Sequence, residues 1–187
     1  MTYFDYIQKA IPKIEALLNG EVEDYIRVIN LKKGDYLLKA GQICDSYYFV
    51  QTGILRSYYL KEYKEIISTF TFPNDIVTIF KSTVMHEPSN EYIQAITDCS
   101  ALKIKVIDYE QLKLKNTDLQ DVENIFFIAY ALWLEERLFT IQFHTAQERY
   151  KFLFDNYKIY INNIPLTYIA SYLGITIETL SRIRANQ

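Results

Sequence analysis

The stretch from Leu119 to Phe143 contains neither glycine nor proline, and this uninterrupted run most constrains the fold. Apolar side chains recur along it at helical spacing, so the sequence predicts one helix about 37 Å long. Phe126, Phe127 and Trp133 widen the apolar surface beyond one stripe. A helix that is apolar on two sides needs packing partners on two sides.

The main apolar seam of this helix follows a near-heptad spacing, as in helices that pair with another helix. We expect the helix to pack on its own subunit on one side and on a second copy of the chain on the other, giving a twofold homodimer. The alternative is a helix buried wholly inside one subunit. Glu136 fits a dimer seam poorly unless its charge is paired. The predicted dimer-interface residues are Ile125, Ala129, Leu132, Glu136 and Phe139.

Before this helix, the pattern consists of short extended runs separated by turn residues. Gly34, Gly41 and Gly53 lie between the runs, where chain reversals favour glycine. Several short strands of this kind predict a double antiparallel sheet of jelly-roll type, preceded by a helix over Tyr3 to Leu18. The predicted strands are Tyr25–Leu31, Tyr36–Lys39, Tyr47–Gln51, Leu55–Leu60, Glu65–Phe72, Tyr92–Thr97 and Ala101–Ile107.

After the long helix, an amphipathic helix is predicted over Thr145 to Tyr160, followed by two short helices within residues 165–184. Pro165 suits a first helical position, and Gly174 suits the left-handed residue that ends a helix. Thr176 can cap the second helix of the pair. This spacing is typical of a DNA-binding helix-turn-helix, and a helical hairpin used only for packing is the alternative.

The outward side of the second helix has the chemistry needed to read base edges. Glu178 and Arg182 are four residues apart and therefore neighbours on one side of the helix. A carboxylate can accept from the cytosine amino group, and a guanidinium can bind guanine O6 and N7. An intrahelical salt bridge on a solvated face is the alternative. The predicted DNA-contacting residues are Thr167, Thr176, Glu178, Thr179, Ser181, Arg182 and Arg184.

Composition excludes several classes of protein. The net charge is −3, so any contact with DNA must be made by a local patch. Cys44 and Cys99 are the two cysteines, which argues against a disulfide framework or zinc site and for a reducing, cytoplasmic location. Neither a leader pattern nor a membrane span of roughly 20 apolar residues is visible. We therefore expect no cofactor, no metal and no membrane contact.

Short motifs at both ends of the chain support a family resemblance. In the roll they are Lys33-Gly34-Asp35, Gly41, Tyr48-Phe49-Val50 and Thr52-Gly53. In the C-terminal part they are Ala146-Gln147-Glu148-Arg149-Tyr150, Leu173-Gly174-Ile175-Thr176 and Glu178-Thr179-Leu180-Ser181-Arg182. With the order of elements, they resemble the Crp/Fnr superfamily of bacterial transcription regulators over nearly the whole chain.

This resemblance implies an α+β fold with a cyclic-nucleotide-binding-like jelly roll, a double-stranded β-helix, at its N-terminal end. The expected domains are a sensor over residues 1–118, a dimerisation helix over 119–143 and a DNA-binding helix-turn-helix over 144–187. The implied partners are double-stranded DNA, a second copy of the chain, a small-molecule effector and RNA polymerase, and no enzymatic activity is expected. The alternative function is a ligand- or partner-binding dimer with a residual DNA-binding domain, acting through protein contacts.

The sensor part departs from the family pattern. Members that bind cyclic AMP have Gly-Glu near the start of a phosphate-binding element, and Arg-Ser or Arg-Thr followed by Ala near its end. Aligned without gaps from Asp75, this chain has Thr78-Ile79 and Ser89-Asn90-Glu91 instead. Since the phosphate loses its guanidinium partner and meets a carboxylate, we expect no useful cyclic AMP binding. At the DNA end, Ile177 replaces an Arg that is often found there, which implies an altered half-site preference.

Other sensing chemistries also lack their ligands. An iron–sulfur cluster of the Fnr kind needs four thiolates, and the chain has two cysteines. A haem, or the metal of a cupin enzyme with the same roll, would rely on two isolated histidines, His86 and His144. If a small molecule binds, we expect it between the roll and the long helix. The candidate pocket residues are Phe70, Phe72, Ile79 and Trp133, which can equally be plain core.

Overall fold

A computed structural model describes residues 9–18, 20 and 22–186 of the chain. Within them the helices are α1 (Ile11–Leu18), α2 (Phe80–Met85), α3 (Val106–Lys113), α4 (Thr117–Phe143), α5 (Ala146–Ile161), α6 (Leu166–Leu173) and α7 (Ile177–Ala185). The strands are β1 (Arg27–Leu31), β2 (Tyr36–Leu38), β3 (Ser46–Thr52), β4 (Leu55–Lys61), β5 (Lys64–Thr71), β6 (Ile76–Val77), β7 (Glu91–Ala95) and β8 (Cys99–Lys105). The first part of the helix predicted for Tyr3 to Leu18 lies outside the described residues.

The strands form two four-stranded sheets with the orders β1-β8-β3-β6 and β2-β7-β4-β5, and the paired strands run antiparallel. Side chains alternate along β3, where Tyr48 and Val50 point into the roll and Phe49 is half-buried on the other face. The inward residues meet Leu55 and Ile93 of the second sheet in one apolar core. The predicted α+β class with an antiparallel roll is confirmed.

Three local details differ from the sequence prediction. β6 and α2 were not predicted, because two and six residues are too few for a clear hydrophobic period. Tyr25 lies in a 3-10 turn over Glu23–Tyr25 rather than in a strand. The last strand of the roll ends at Lys105 and becomes α3, in which Ile107 is 62% exposed and Tyr109 is buried.

The long helix α4 extends over 27 residues without a break. Its start is capped by the side-chain oxygen of Asn116, which accepts from the backbone N–H groups of Asp118 and Leu119 at 2.9 and 3.3 Å. Val122 packs in a small apolar cluster with Ile14 of α1. The predicted long helix is therefore present, begins two residues earlier than expected, and has one side on its own subunit.

The C-terminal helices pack against the sheet β2-β7-β4-β5. A single apolar cluster contains Tyr58, Ile67 and Phe70 of that sheet together with Leu153 of α5 and Ile169 of α6. Thr145 and the acidic residue three positions later form a capping box that starts α5. Because the roll and the C-terminal helices share one core, the position of α6 and α7 is determined by the roll.

Candidate DNA-binding surface and sensor region

Helices α6 and α7 are joined by a turn of three residues. Gly174 ends α6 in the left-handed conformation, with φ 67°, and its N–H bonds to the last carbonyl groups of the helix. Thr176 Oγ1 accepts from the N–H of Thr179 at 3.2 Å and so caps α7. Both features agree with the sequence prediction. Pro165, with ψ 137°, precedes the first helical residue instead of occupying that position.

Buried apolar side chains hold the two helices together. Ile169, Leu173 and Leu180 are at most 3% exposed. The N–H of Ile175 donates to the carbonyl of Ala170 at 3.0 Å, so the backbones of the turn and α6 approach closely where the side chain is small. Since Leu180 fixes the inner side of α7, the opposite side of this helix must face outward.

The structure places most of the predicted DNA-contacting residues on the surface. Thr179 is the half-buried exception, and its hydroxyl accepts from Arg182 Nη2 at 3.4 Å. Thr179 therefore orients the arginine as well as contributing to the cap. The exposed members are Thr167, Thr176, Glu178, Ser181, Arg182 and Arg184.

The carboxylate of Glu178 is available at the surface. Its pKa is lowered, first by its own backbone N–H at the start of α7, then by the Thr176 hydroxyl and less strongly by the charge of Arg182. Arg182 directs its hydrogen bond to Thr179 instead of forming an intrahelical salt bridge with Glu178. Both charged groups are thus free to meet partners outside the protein.

Ser171 connects α6 to the edge of the roll. Strand β5 is the last strand of its sheet, so one row of its backbone groups lacks a neighbouring strand. The Ser171 hydroxyl donates to the carbonyl of Glu65 at 2.9 Å and accepts from the N–H of Ile67 at 3.1 Å. One side chain therefore satisfies two edge groups. Sequence analysis did not identify Ser171, because a serine in a short helix resembles any exposed polar residue.

A buried arginine forms a second connection between the roll and α6. Arg56 of β4 is 3% exposed, and its Nη2 donates to Glu65 at 3.0 Å and to Gln94 at 2.6 Å. The guanidinium packs on two rings, with its carbon 4.2 Å from the centroid of Tyr58 and 3.9 Å from that of Tyr168. A charge can be buried in this way because its donors are engaged and aromatic rings lie against it. Sequence analysis missed this residue, since Gln94 and Tyr168 are distant from it in sequence.

Arg137 links the long helix to α6. It donates to the carbonyl of Tyr172 and places its guanidinium 3.9 Å from the centroid of the Tyr172 ring. The neighbouring Glu136 is half-buried, and burial raises the pKa of its carboxyl. A movement of α4 would therefore reach α6 directly.

In the roll, the polar side chains of the segment from Asp75 to Glu91 bond to groups within the roll. The hydroxyls of Thr78 and Thr83 are 2.7 Å apart. Ser82 Oγ accepts from a backbone N–H at 2.9 Å and donates to a carbonyl at 2.6 Å. Ser89 Oγ does the same with the backbone of Glu91, at 2.8 and 3.0 Å. These hydroxyls would have to give up existing bonds in order to hold a phosphate.

The contact between this segment and α4 is aromatic. Phe80 of α2 packs edge-on against Phe127, with ring centroids 5.7 Å apart, and lies 5.5 Å from Tyr130. Tyr130 stacks in turn on Phe126 and Trp133, at 6.3 and 5.9 Å. Rings of the protein itself thus join this segment of the roll to the long helix.

The four predicted pocket residues do not line one cavity. Phe70 and Phe72 pack against rings of α6 and α5, at centroid distances of 5.2 and 4.3 Å. Ile79 lies in the core of the roll, and Trp133 borders a small crevice between α4 and α5. Apolar spacing identified the buried positions correctly but contains no information about which element covers them.

The predicted dimer-interface residues differ in how far they are exposed. Ala129 is fully buried within the subunit, contrary to the prediction, and Ile125, Leu132 and Glu136 are half-buried; Phe139 is 52% exposed. Because α4 is apolar on two sides, its sequence contains two seams. The seam chosen from the sequence is the one that mainly faces the subunit.

A different line of residues is exposed along α4. It has heptad spacing, with steps of four and three residues, and is mostly apolar. Leu134 is 44% exposed and Leu138 is 57% exposed. The members of this exposed seam are Phe127, Ala131, Leu134, Leu138 and Ile141.

The described part of the chain shows neither a cluster of metal ligands nor a membrane-spanning helix. No cluster of three or more His, Cys, Asp or Glu side chains there could hold a metal ion. Cys44 and Cys99 are both buried and free. None of the helices within residues 9–18, 20 and 22–186 combines the length and apolar character needed to cross a bilayer.

Known proteins resemble the chain in both sequence and fold. The family model of the cyclic nucleotide-binding domain matches residues 28–116. The anaerobic regulatory protein of Haemophilus influenzae is 27% identical over 166 residues, covering 82% of this chain and 63% of that protein. The transcriptional activator protein Anr of Pseudomonas protegens is 24% identical over 166 residues, covering 82% and 67%. The chain thus spans less than two thirds of the first relative's length.

The fold of FixK2 from Bradyrhizobium japonicum matches with a TM-score of 0.73 at 19% sequence identity, covering 86% of this chain and 83% of that one. Residues 28–116, which match the family model, are less than half of the chain, whereas the match to FixK2 covers 86% of it. The likeness in fold therefore extends beyond the roll. The roll thus matches the cyclic nucleotide-binding domain, and the chain as a whole is similar in sequence and fold to transcription regulators of the Crp/Fnr type.

Proposed function

We propose that the chain is a dimeric, non-enzymatic transcription regulator that binds an inverted-repeat DNA site through α7. The exposed polar side of α7 supports this most directly, because Glu178 and Arg182 face solvent and form no ion pair with each other. The names of two relatives, a regulatory protein and a transcriptional activator, agree with it. We also propose that the regulator acts in the cytoplasm, which fits its two free thiols.

In this proposal, the two α7 helices of a dimer enter successive major grooves, about 34 Å apart. Arg182 binds guanine O6 and N7, and Glu178 accepts from a cytosine amino group. The remaining exposed polar residues contact phosphates or adjacent base edges, which sets the register on the duplex. These residues are Thr167, Thr176, Ser181 and Arg184, while Thr179 positions Arg182.

We place the dimer contact on the exposed seam of α4. Leu134, Leu138 and Ile141 are each more than 40% exposed on one subunit, an unusual arrangement for consecutive turns of a helix that stays in water. Pairing two such helices would bury them in a parallel coiled coil. In this arrangement, residues 1–118 serve as the sensor, 119–143 as the dimerisation helix and 144–187 as the DNA-binding part.

We further propose that cyclic AMP is not the effector. The positions that align with the phosphate-binding Arg-Ser-Ala have Ser89, Asn90 and Glu91, and the Ser89 hydroxyl is bound to the backbone of Glu91. Loss of a charge-assisted pair with the phosphate removes the strongest contact that such a ligand could make. A micromolar dissociation constant for cyclic AMP, measured by calorimetry, would contradict this part of the proposal.

A gel shift of the full chain on DNA upstream of its own gene tests the proposal, at about 50 and 200 mM salt with excess random competitor. A sharp band that resists competitor, and that R182A loses, is the expected result. Binding that disappears with competitor in the wild-type protein would contradict specific, ligand-free recognition. It would favour the alternative of a dimer that acts through protein contacts.

A further inference from the structure

An apolar cavity lies on the outer face of the sheet β1-β8-β3-β6, on the side of the roll away from the C-terminal helices. Its volume is about 110 Å³. The walls come from α1, the sheet, α3 and the first half of α4, and they include Ile14, Phe49, Leu102, Val122 and Phe126. None of the four pocket residues predicted from the sequence borders this cavity, so it is a separate site.

Three polar side chains around the cavity already have partners. The Tyr109 hydroxyl donates to the carbonyl of Leu119 at 2.9 Å. The carboxylate of Glu123 accepts from Lys113 at 2.9 and 3.0 Å. Lys103 extends to the opposite side of the sheet, where its ammonium approaches a carboxylate at 3.9 Å. A ligand with a charged or hydrogen-bonding head would have to break these contacts.

Tyr47 completes this part of the wall with its ring rather than its hydroxyl. The ring packs edge-on against Tyr109, with centroids 5.3 Å apart. The pKa of Tyr47 is raised first by burial and then by the negative charges of Glu110 and Glu123. The interior therefore presents mainly carbon atoms to an occupant.

The size of the cavity limits the occupant. A cavity of about 150 Å³ with Leu, Ile and Phe walls stays dry and takes benzene or xenon. We propose that the smaller cavity of this protein binds an uncharged apolar molecule no larger than a single substituted ring. Because α4 forms one wall and continues to the C-terminal helices, an occupant would contact the element that links both ends of the molecule.

Thermal unfolding of the full chain with toluene tests this inference, and benzoate serves as the charged ligand of similar shape. Toluene should raise Tm saturably, by roughly 3 to 6 °C at ten times its dissociation constant, and benzoate should not. The variant V122F, which places a ring in the cavity, should fold and should lose the response to toluene. Because no DNA is present, the result does not depend on the proposed function.

Three outcomes would overturn the inference. They are the absence of a saturable shift with toluene, an equal shift with benzoate, and an undiminished toluene response in V122F. Should V122F fail to fold, nuclear Overhauser contacts between toluene and the methyl groups of Ile14 and Leu102 decide the matter in the wild-type protein. Their presence is expected, and their absence would overturn the site.

Discussion

Two arginines near the end of α7 differ in how firmly they are held. Arg182 is oriented by the hydroxyl of Thr179, whereas no side-chain contact of this kind is seen for Arg184 in the described structure. A side chain that is already oriented loses less conformational freedom when it binds a base. We therefore assign base reading to Arg182 and phosphate contact to Arg184.

Replacing Arg182 with alanine should weaken operator binding by about 1 to 3 kcal/mol and relax the sequence preference at one position. The matched variant R184A should weaken binding to operator and scrambled DNA alike and reduce the salt dependence. Competition gel shifts on both DNAs measure the two effects. If R182A kept the wild-type ratio of operator to scrambled affinity, its assigned role would be wrong.

Local signals predicted some residues well and others not at all. Gly174 and Thr176 were identified because glycine and threonine act on the turn in which they stand. Ser171 and Arg56 were missed because key partners are distant in sequence: Ser171 and Glu65 are 106 positions apart, and Arg56 and Gln94 are 38 apart. A residue whose role is defined by a distant backbone group leaves no local pattern.

Two polar residues, Arg56 and Ser171, connect α6 to the sheet. The buried guanidinium of Arg56 joins β4, β5 and β7 to the ring of Tyr168. Ser171 adds the two backbone contacts on β5. Periodicity predicted each of these elements, but the surface on which α6 packs follows only from the assembled roll.

Truncating Arg56 to alanine should lower the free energy of unfolding by about 2 to 3 kcal/mol, because Gln94 and two rings lose a buried partner. The value lies below that of a fully buried pair, since the Glu65 side chain is 38% exposed and can reach water. The matched variant K32A removes an exposed pair with Asp98 and should cost much less, because water already solvates both charges. Urea denaturation measures both, and equal losses would contradict the importance of the buried contact.

Glu136 on α4 should make stability depend on pH. Burial raises the pKa of its carboxyl in the folded protein, so the folded state holds this proton more strongly than the unfolded state. The contribution of this group to stability therefore falls as pH rises through the ordinary value of 4.5 toward the raised value. Glu136→Gln should raise Tm at pH 7 and have little effect at pH 4. A larger gain at pH 4 than at pH 7 would contradict the direction of the shift.

For the whole molecule, the exposed side of α4 determines how two copies would pair in the proposed dimer. The sequence predicted the long helix and its two apolar sides, but it could not rank them, because both repeat at nearly the same spacing. The structure separates them, since Ala129 is buried in the subunit while Leu138 is 57% exposed. The fold class and the order of elements could be predicted, because the spacing of apolar residues within each segment indicates whether that segment is a helix or a strand.

The variant L138R should shift the protein from dimer to monomer and raise the dissociation constant by roughly 30-fold or more, because it places a charge at the centre of the apolar contact. F139R alters the neighbouring position, which belongs to the seam chosen from the sequence and is 52% exposed. Sedimentation velocity over a range of concentrations distinguishes the two. Dissociation by F139R alone would show that the dimer uses the other seam.

The covered edge of β5 also limits how this chain can be divided. Without the helices after Phe143, the backbone groups that Ser171 satisfies would be unpaired, and Phe70 and Phe72 would lose the rings packed on them. An open, apolar strand edge invites the same edge of another molecule. The isolated roll should therefore self-associate and precipitate when expressed alone, although the cluster between its two sheets would remain. The C-terminal helices therefore also keep the roll in solution, because they cover its strand edge.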